Sequence, residues 1–164
     1  LLPDSAHIQE SDTELNNRKG QRLGKKEEQP LFTLDDAFAA LKLFKVRDFN
    51  SKFQVVPGVE VNFKKAGHIL GSAIVEMTVK EEDKTTRLIF TGDIGQPNQP
   101  ILEDPDAISG ADFIVTESTY GNRVHEAYDK LGDLEKIINE TVDKGGNIII
   151  PAFAVGRTQV LLYY

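Results

Sequence analysis

Apolar residues recur with two different periods along this chain, and the change of period divides it. Leu34, Ala37, Phe38, Leu41 and Phe44 fall three and four apart, the spacing of one helical face, and Thr33 with Asp36 forms a capping pair ahead of them. The period then drops to two. Val59, Val61 and Phe63 alternate with polar residues, as do Ala73, Val75, Met77 and Val79, then Leu88 and Phe90, which predicts three strands. Glu81-Glu82-Asp83-Lys84 between the last two reads as a hairpin turn. Phe113-Ile114-Val115 and Ile148-Ile149-Ile150 are short unbroken apolar runs, the pattern of strands buried on both faces. Between them Ala127, Leu131, Leu134, Ile138 and Val142 outline a second helix that Gly145-Gly146 would end. Residues 1–30 carry neither period. Their charged, turn-rich stretches at Asn16–Gly20 and Gly24–Glu28 predict a solvated, irregular surface segment. The pattern as a whole predicts an α/β or α+β fold with a substantial sheet.

Composition narrows what such a fold can do. The chain has 164 residues, 40% of them apolar and 27% charged, enough for one ordinary domain with a core. Nineteen lysines and arginines against 26 aspartates and glutamates leave a net charge of −7, so bulk attraction does not recruit nucleic acid or anionic membrane. Any polyanion has to be held locally, by metal or a few placed cations. With no cysteine, disulfide scaffolds, zinc fingers, thiol catalysis and iron–sulfur clusters are excluded. Only His7, His68 and His125 remain beside the carboxylates as metal-capable nitrogen donors.

No apolar stretch approaches the roughly 20 residues of a membrane span, and no signal-peptide pattern is present, which predicts a cytoplasmic protein without membrane contact. The chain opens Leu1-Leu2-Pro3 without methionine and closes on Val160-Leu161-Leu162-Tyr163-Tyr164, an apolar run with no stop signal. Those ends predict a piece of a longer polypeptide.

Chemistry concentrates at predicted strand ends. His68 lies in Ala66-Gly67-His68-Ile69-Leu70-Gly71-Ser72, and Asp93 in Phe90-Thr91-Gly92-Asp93-Ile94-Gly95, each flanked by glycines that allow close backbone approach. Glu117 ends the run after Phe113 and opens Glu117-Ser118-Thr119-Tyr120-Gly121, where a carboxylate serves equally as a functional group or as a turn cap. Pro151-Ala152-Phe153-Ala154-Val155-Gly156-Arg157-Thr158-Gln159 follows further on.

These motifs, in this order, resemble the metallo-β-lactamase-fold nucleases of the β-CASP group, nearest to the RNA-processing branch that includes the cleavage and polyadenylation endonuclease. Asp4–Glu10 and Pro30–Thr33 resemble the same branch, and Glu117-Ser118-Thr119 stands where the DNA-repair branch has an aspartate-threonine-threonine pattern. The resemblance implies part of an αββα sandwich over residues 1–125 and the start of the inserted β-CASP domain, a helix–strand–helix unit, over 126–164.

It also implies a dinuclear zinc site, with His68 a ligand of one ion and Asp93 the carboxylate bridging two. Glu117 would support a downstream histidine acting as general acid, so Asp93 and Glu117 are the expected catalytic carboxylates. Two ions about 3.5–4 Å apart acidify a shared water that attacks phosphorus, while an acid protonates the leaving oxygen. Ser118, Thr119 and Arg157 are candidates for substrate phosphate, with Arg157 near a helix start; an ion pair holding the fold is the other reading of Arg157. His125 either lines the cleft, supports a metal ligand from behind, or starts a helix. His7 is expected to be structural or to face solvent.

The family's His-x-His-x-Asp-His ligand run has no match in this sequence, which leaves two ligands where catalytic zinc normally takes three or more. The expectation is a segment of a zinc-dependent RNA phosphodiesterase that is inactive by itself, binds zinc weakly or not at all, and self-associates through uncovered apolar edges. Two alternatives remain open at this point: a hydrolase of thioesters or small esters, and a non-catalytic scaffold in an RNA 3′-end processing complex.

Overall fold

The capping pair at Thr33 and Asp36 closes into a full box: the Thr33 amide donates to Asp36 Oδ2 at 2.9 Å and the Asp36 amide to Thr33 Oγ1 at 3.2 Å. It starts a helix that ends sooner than the apolar spacing predicts. In a computed structural model describing residues 1–124 and 129–164, this helix, α2, runs Leu34–Leu41. Phe44 falls in the tight turn beyond it, where the Leu43 and Phe44 amides bond back only three residues.

The chain divides into two compact units, Leu1–Val46 and Arg47–Tyr164. In the first, residues 1–30 correct the sequence reading: Leu2–Gln21 is a 20-residue helix, α1, and only the segment after it is irregular. The helix lacks an apolar stripe because it buries little, only Ala6 and Gly20. Pro3 in its first turn, Asp4 at its positive end, Arg18 and Lys19 at its negative end and a Glu14–Arg18 pair sustain it instead. His7 is exposed on it, as expected. The Asn17 side chain bonds both the amide and the carbonyl of Glu28, and Glu10 Oε1 accepts from the Leu34 amide, so α1 holds the return segment and α2.

The second unit is built on a mixed five-stranded sheet in the order β1 (Phe53–Val56), β2 (Val59–Lys65), β3 (Ala73–Glu81), β4 (Lys84–Phe90) and β5 (Phe113–Val115). The three alternating runs are β2, β3 and β4, and the hairpin forms as read, with Glu81 opposite Lys84. β1 was not legible, being four residues long and mostly exposed. β1 to β4 pair antiparallel and β5 joins β4 in parallel. On one face Ala66, Ile74 and Ile89 are fully buried, with Ile108 packed on them from the long β4–β5 connection. That connection is fastened by two aspartates: Asp106 accepts from the Lys65 amide at 2.9 Å, and Asp112 from the Arg87 amide at 2.7 Å.

Three expectations fail beyond β4. Phe113, Ile114 and Val115 form a strand, but 55–62% exposed rather than buried on both faces. Ile148–Ile150 is not a strand, and Ile149 is 91% exposed. The predicted helix–strand–helix unit is therefore two helices, α3 (Lys130–Asp143) and α4 (Arg157–Tyr163), with irregular backbone between. The reason is the same in each case. Among the described residues neither helix packs on another element, and β5 has a neighbour on one side only. Gly145-Gly146 do end α3: the Gly146 amide reaches the Thr141 carbonyl and the Gly145 amide that of Val142, a Schellman closure with Gly145 at φ 66°. Among the described residues no helix is long and apolar enough to cross a membrane.

Candidate active site

Strand register decides where the three candidate side chains meet. Lys65 of β2 lies opposite Ala73 of β3, Val75 of β3 opposite Phe90 of β4, and Phe90 beside Val115 of β5. The exits of β2, β4 and β5 therefore open at one end of the sheet. His68 is in the loop leaving β2, Asp93 three residues past β4, and Glu117 two residues past β5.

His68 Nε2 faces Asp93 Oδ2 at 3.7 Å, with both side chains substantially exposed. Their loops touch through the backbone. The Gly95 amide donates to the Ala66 carbonyl at 2.8 Å, and a Cβ on Gly95 would sit 1.7 Å from the Gly67 carbonyl oxygen, so only glycine fits there. Gly67 itself has φ 65° and lies against Pro105, leaving no room for a side chain. The Ser72 hydroxyl accepts from the His68 and Ile69 amides at 3.2 Å each and so shapes the loop tip.

Glu117 reaches across from β5. Its Oε1 accepts from the Ile94 amide at 2.9 Å. The Thr119 hydroxyl is the largest influence holding this carboxyl below the usual glutamate range; the Ile94 amide comes next, and the Thr119 amide and His68 add smaller contributions against partial desolvation. Glu117 is thus anionic at neutral pH.

The remaining candidates are less tightly gathered. Ser118 and Thr119 are exposed in the turn after β5, where the Ser118 carbonyl receives the Gly121 amide. Gly156, the residue before α4, lies beside Ile69 of the His68 loop, so the start of α4 comes near the site. The Arg157 guanidinium, however, points back to the Pro151 carbonyl at 3.5 Å. His125 lies outside the described residues. Ser72 and the Ile94 amide were not foreseen, their only signal being membership of the two glycine-flanked motifs, whereas the close backbone approach expected of the flanking glycines is realised at Gly95.

Among the described residues, no group of three or more histidine, cysteine or carboxylate side chains is arranged to hold a metal ion. The pair His68 and Asp93 fits two of the ligands of one ion. Zinc takes imidazole nitrogen and carboxylate oxygen at about 2.0–2.2 Å, so donors 3.7 Å apart are within the span of a single ion.

No family model matches the chain. Individual proteins do. It is 32% identical to ribonuclease TTHA0252 of Thermus thermophilus over 137 residues, 83% of this chain and 31% of that protein. It is 32% identical to an RNase J-like protein of Methanocaldococcus jannaschii, over 78% of this chain and 30% of the relative. It is 31% identical to cleavage and polyadenylation specificity factor 73 of Drosophila melanogaster, over 82% of this chain and 19% of the relative. The chain thus spans less than a third of the length of each of these relatives. By similarity over most of its own length, it belongs with the metallo-β-lactamase-fold β-CASP family.

Proposed function

We propose that this chain supplies one corner of the active site of a metal-dependent phosphodiesterase that cleaves RNA. The observation that carries the reading is the convergence of His68, Asp93 and Glu117 at one end of the sheet, with His68 and Asp93 3.7 Å apart. Relatives named as ribonucleases supply the substrate class.

His68 and Asp93 are the side chains that would hold metal, and zinc is the ion their nitrogen–oxygen donor set suits. When bound, zinc supplies Lewis acidity toward phosphate oxygens and a water that ionises near neutral pH. The protein's own groups do the rest. Asp93 contributes negative charge beside the His68 imidazole. Glu117 is charged at neutral pH and so does not itself protonate the leaving oxygen. That role falls to another group, which the Glu117 carboxylate can orient. Ser118 offers an exposed hydroxyl beside it for a substrate phosphate, and Thr119 is shared between that task and Glu117. Arg157 would have to leave the Pro151 carbonyl to reach substrate.

In this reading residues 1–125 belong to the lactamase-like domain and 126–164 begin the β-CASP insertion. The isolated chain is inactive, because two ligands do not hold a catalytic ion. Its exposed apolar strand β5 and helix α3 support self-association, which light scattering across a concentration series reads directly. A cytoplasmic location is part of the same proposal.

The test uses a full-length chain carrying this segment. His68→Ala and Asp93→Ala should each lower chelator-sensitive RNA cleavage by more than about 100-fold and reduce bound zinc. Undiminished cleavage in either variant overturns the proposal, as does metal-dependent cleavage by the 164-residue chain alone.

A further inference from the structure

Asp93 is exposed over 71% of its side chain, so packing does not set its position. Apart from the facing imidazole of His68, its place is determined by the main chain it stands on. That main chain leaves β4 through Thr91, whose amide bonds to the Val115 carbonyl at 3.0 Å, and turns at Gly92 with φ 55°. Immediately after Asp93, two successive amides donate to two different neighbours. Ile94 N–H goes to the Glu117 carboxylate on the β5 side at 2.9 Å. Gly95 N–H goes to the Ala66 carbonyl on the His68 side at 2.8 Å.

We propose that Glu117 is a positioning residue for Asp93: by capturing the next amide along the chain, it fixes the ligand-bearing loop against β5 while Gly95 fixes it against the His68 loop. The meaning of Asp93 as a ligand rests on the function proposed above; the capture of its loop does not.

Both stitches are needed to define the loop. The Gly95 bond alone leaves residues 91–95 free to pivot about the His68 loop, since among the described residues the other hydrogen bonds of this stretch are made by Thr91, two residues before Asp93. Glu117 closes that freedom with a charge-assisted bond, the stronger kind. Its own orientation is secured by Thr119 on the same turn. The line of support therefore runs from Thr119 to Glu117, to the Ile94 amide, to Asp93. Such a role needs an acceptor oxygen at Glu117 and does not need its charge, whereas support of a protonated histidine needs the charge. Glutamine separates the two.

The first readout is hydrogen exchange at the Ile94 amide, measured by NMR on this chain without metal or RNA. Glu117→Ala should speed exchange about tenfold, and Glu117→Gln should keep it within about threefold of the original, as expected for losing or keeping one hydrogen bond to a charged group. Protected amides of β2, β3 and β4 report that each variant is folded. Thr119→Val, which leaves Glu117 in place, should speed Ile94 exchange by about threefold and serves if Glu117→Ala does not fold.

The second readout is zinc affinity in a full-length chain carrying the segment, where Glu117→Ala should cost about tenfold and Glu117→Gln at most about threefold, the scale for groups that orient a ligand. Unchanged Ile94 exchange in Glu117→Ala overturns the inference. So does equal damage by Gln and Ala in either readout, or, where Asp93→Ala lowers zinc affinity, faster exchange in Glu117→Ala with unaltered zinc affinity. If His68→Ala and Asp93→Ala leave zinc affinity intact, the functional reading fails by itself, and the exchange measurement still decides what Glu117 holds.

Discussion

Two three-residue apolar runs, Phe113–Val115 and Ile148–Ile150, look alike in sequence and end differently. The first pairs with β4 along Leu88–Phe90 and delivers Glu117 to the site. The second pairs with nothing among the described residues and remains irregular. An apolar run measures how much a segment gains from burial; whether it becomes a strand depends on a partner edge in the right place. β4 offers such an edge to β5, and the long connection fastened by Asp106 and Asp112 brings β5 to it. Residues 129–164 fold locally, into helices closed by their own caps, because local hydrogen bonds need no partner edge.

This contrast is sharpest for isoleucines. Ile89 is 1% exposed, in a cluster with Ile74 and Ala66, whereas Ile149 is 91% exposed. Ile89→Ala should destabilise the sheet by about 3–4 kcal/mol in denaturant unfolding, the range for emptying a packed site. Ile149→Ala should stay within about 0.5 kcal/mol. Comparable losses at the two positions would mean that Ile148–Ile150 is packed in solution and that the contrast is false.

The next largest effect is expected where the two site loops meet. Gly95→Ala places a methyl where the Gly67 carbonyl oxygen already is. Separating the loops should cost about 2 kcal/mol, an overpacking penalty, and should lengthen or break the Gly95–Ala66 bond. Gly145→Ala has no such clash, since nothing lies within 4 Å of the added carbon, so it isolates the smaller penalty of a positive φ. Unfolding curves for the two variants compare them directly. If Gly95→Ala is no worse than Gly145→Ala, the His68 and Asp93 loops are not held as tightly as their backbone contact implies.

How much of this was legible follows from sequence distance. The Thr33–Asp36 box, the Glu81–Lys84 hairpin and the Gly145-Gly146 stop all join residues within five positions, and each was readable from spacing. β2, β3 and β4 were readable because alternation records one buried face. The helix α1 was not, because it has almost no buried face to record and its stability comes from end charges and helix-forming residues. At the site, His68, Asp93 and Glu117 were identifiable as strand-end residues, and the motif resemblance singled them out together. The contacts that organise them, Ile94 to Glu117 over 23 residues and Gly95 to Ala66 over the β3–β4 hairpin, leave no periodic trace.

Asp36 and Glu117 make the same point in their protonation. Each carboxyl is held below its usual value by an amide and a threonine hydroxyl: Asp36 chiefly by the Thr33 amide and then its hydroxyl, Glu117 chiefly by the Thr119 hydroxyl and then the Ile94 amide. A group whose folded value is lowered adds stability above its unfolded value and loses it as pH falls through the folded one. Both contributions are therefore complete at neutral pH, begin to fade below the usual 4.5 for Glu117 and 3.8 for Asp36, and vanish below their depressed folded values. Both groups are open to solvent, so the change in stability is the smallest of those expected here. Titration of the side-chain carboxyl resonances resolves it. Thr119→Val should raise the Glu117 midpoint toward 4.5 and leave Asp36 alone, while Thr33→Val should raise Asp36 toward 3.8 and leave Glu117 alone. Only the first should also quicken exchange at Ile94, because the cap closes on its own helix whereas the Glu117 carboxylate is the link between β5 and the loop that carries Asp93.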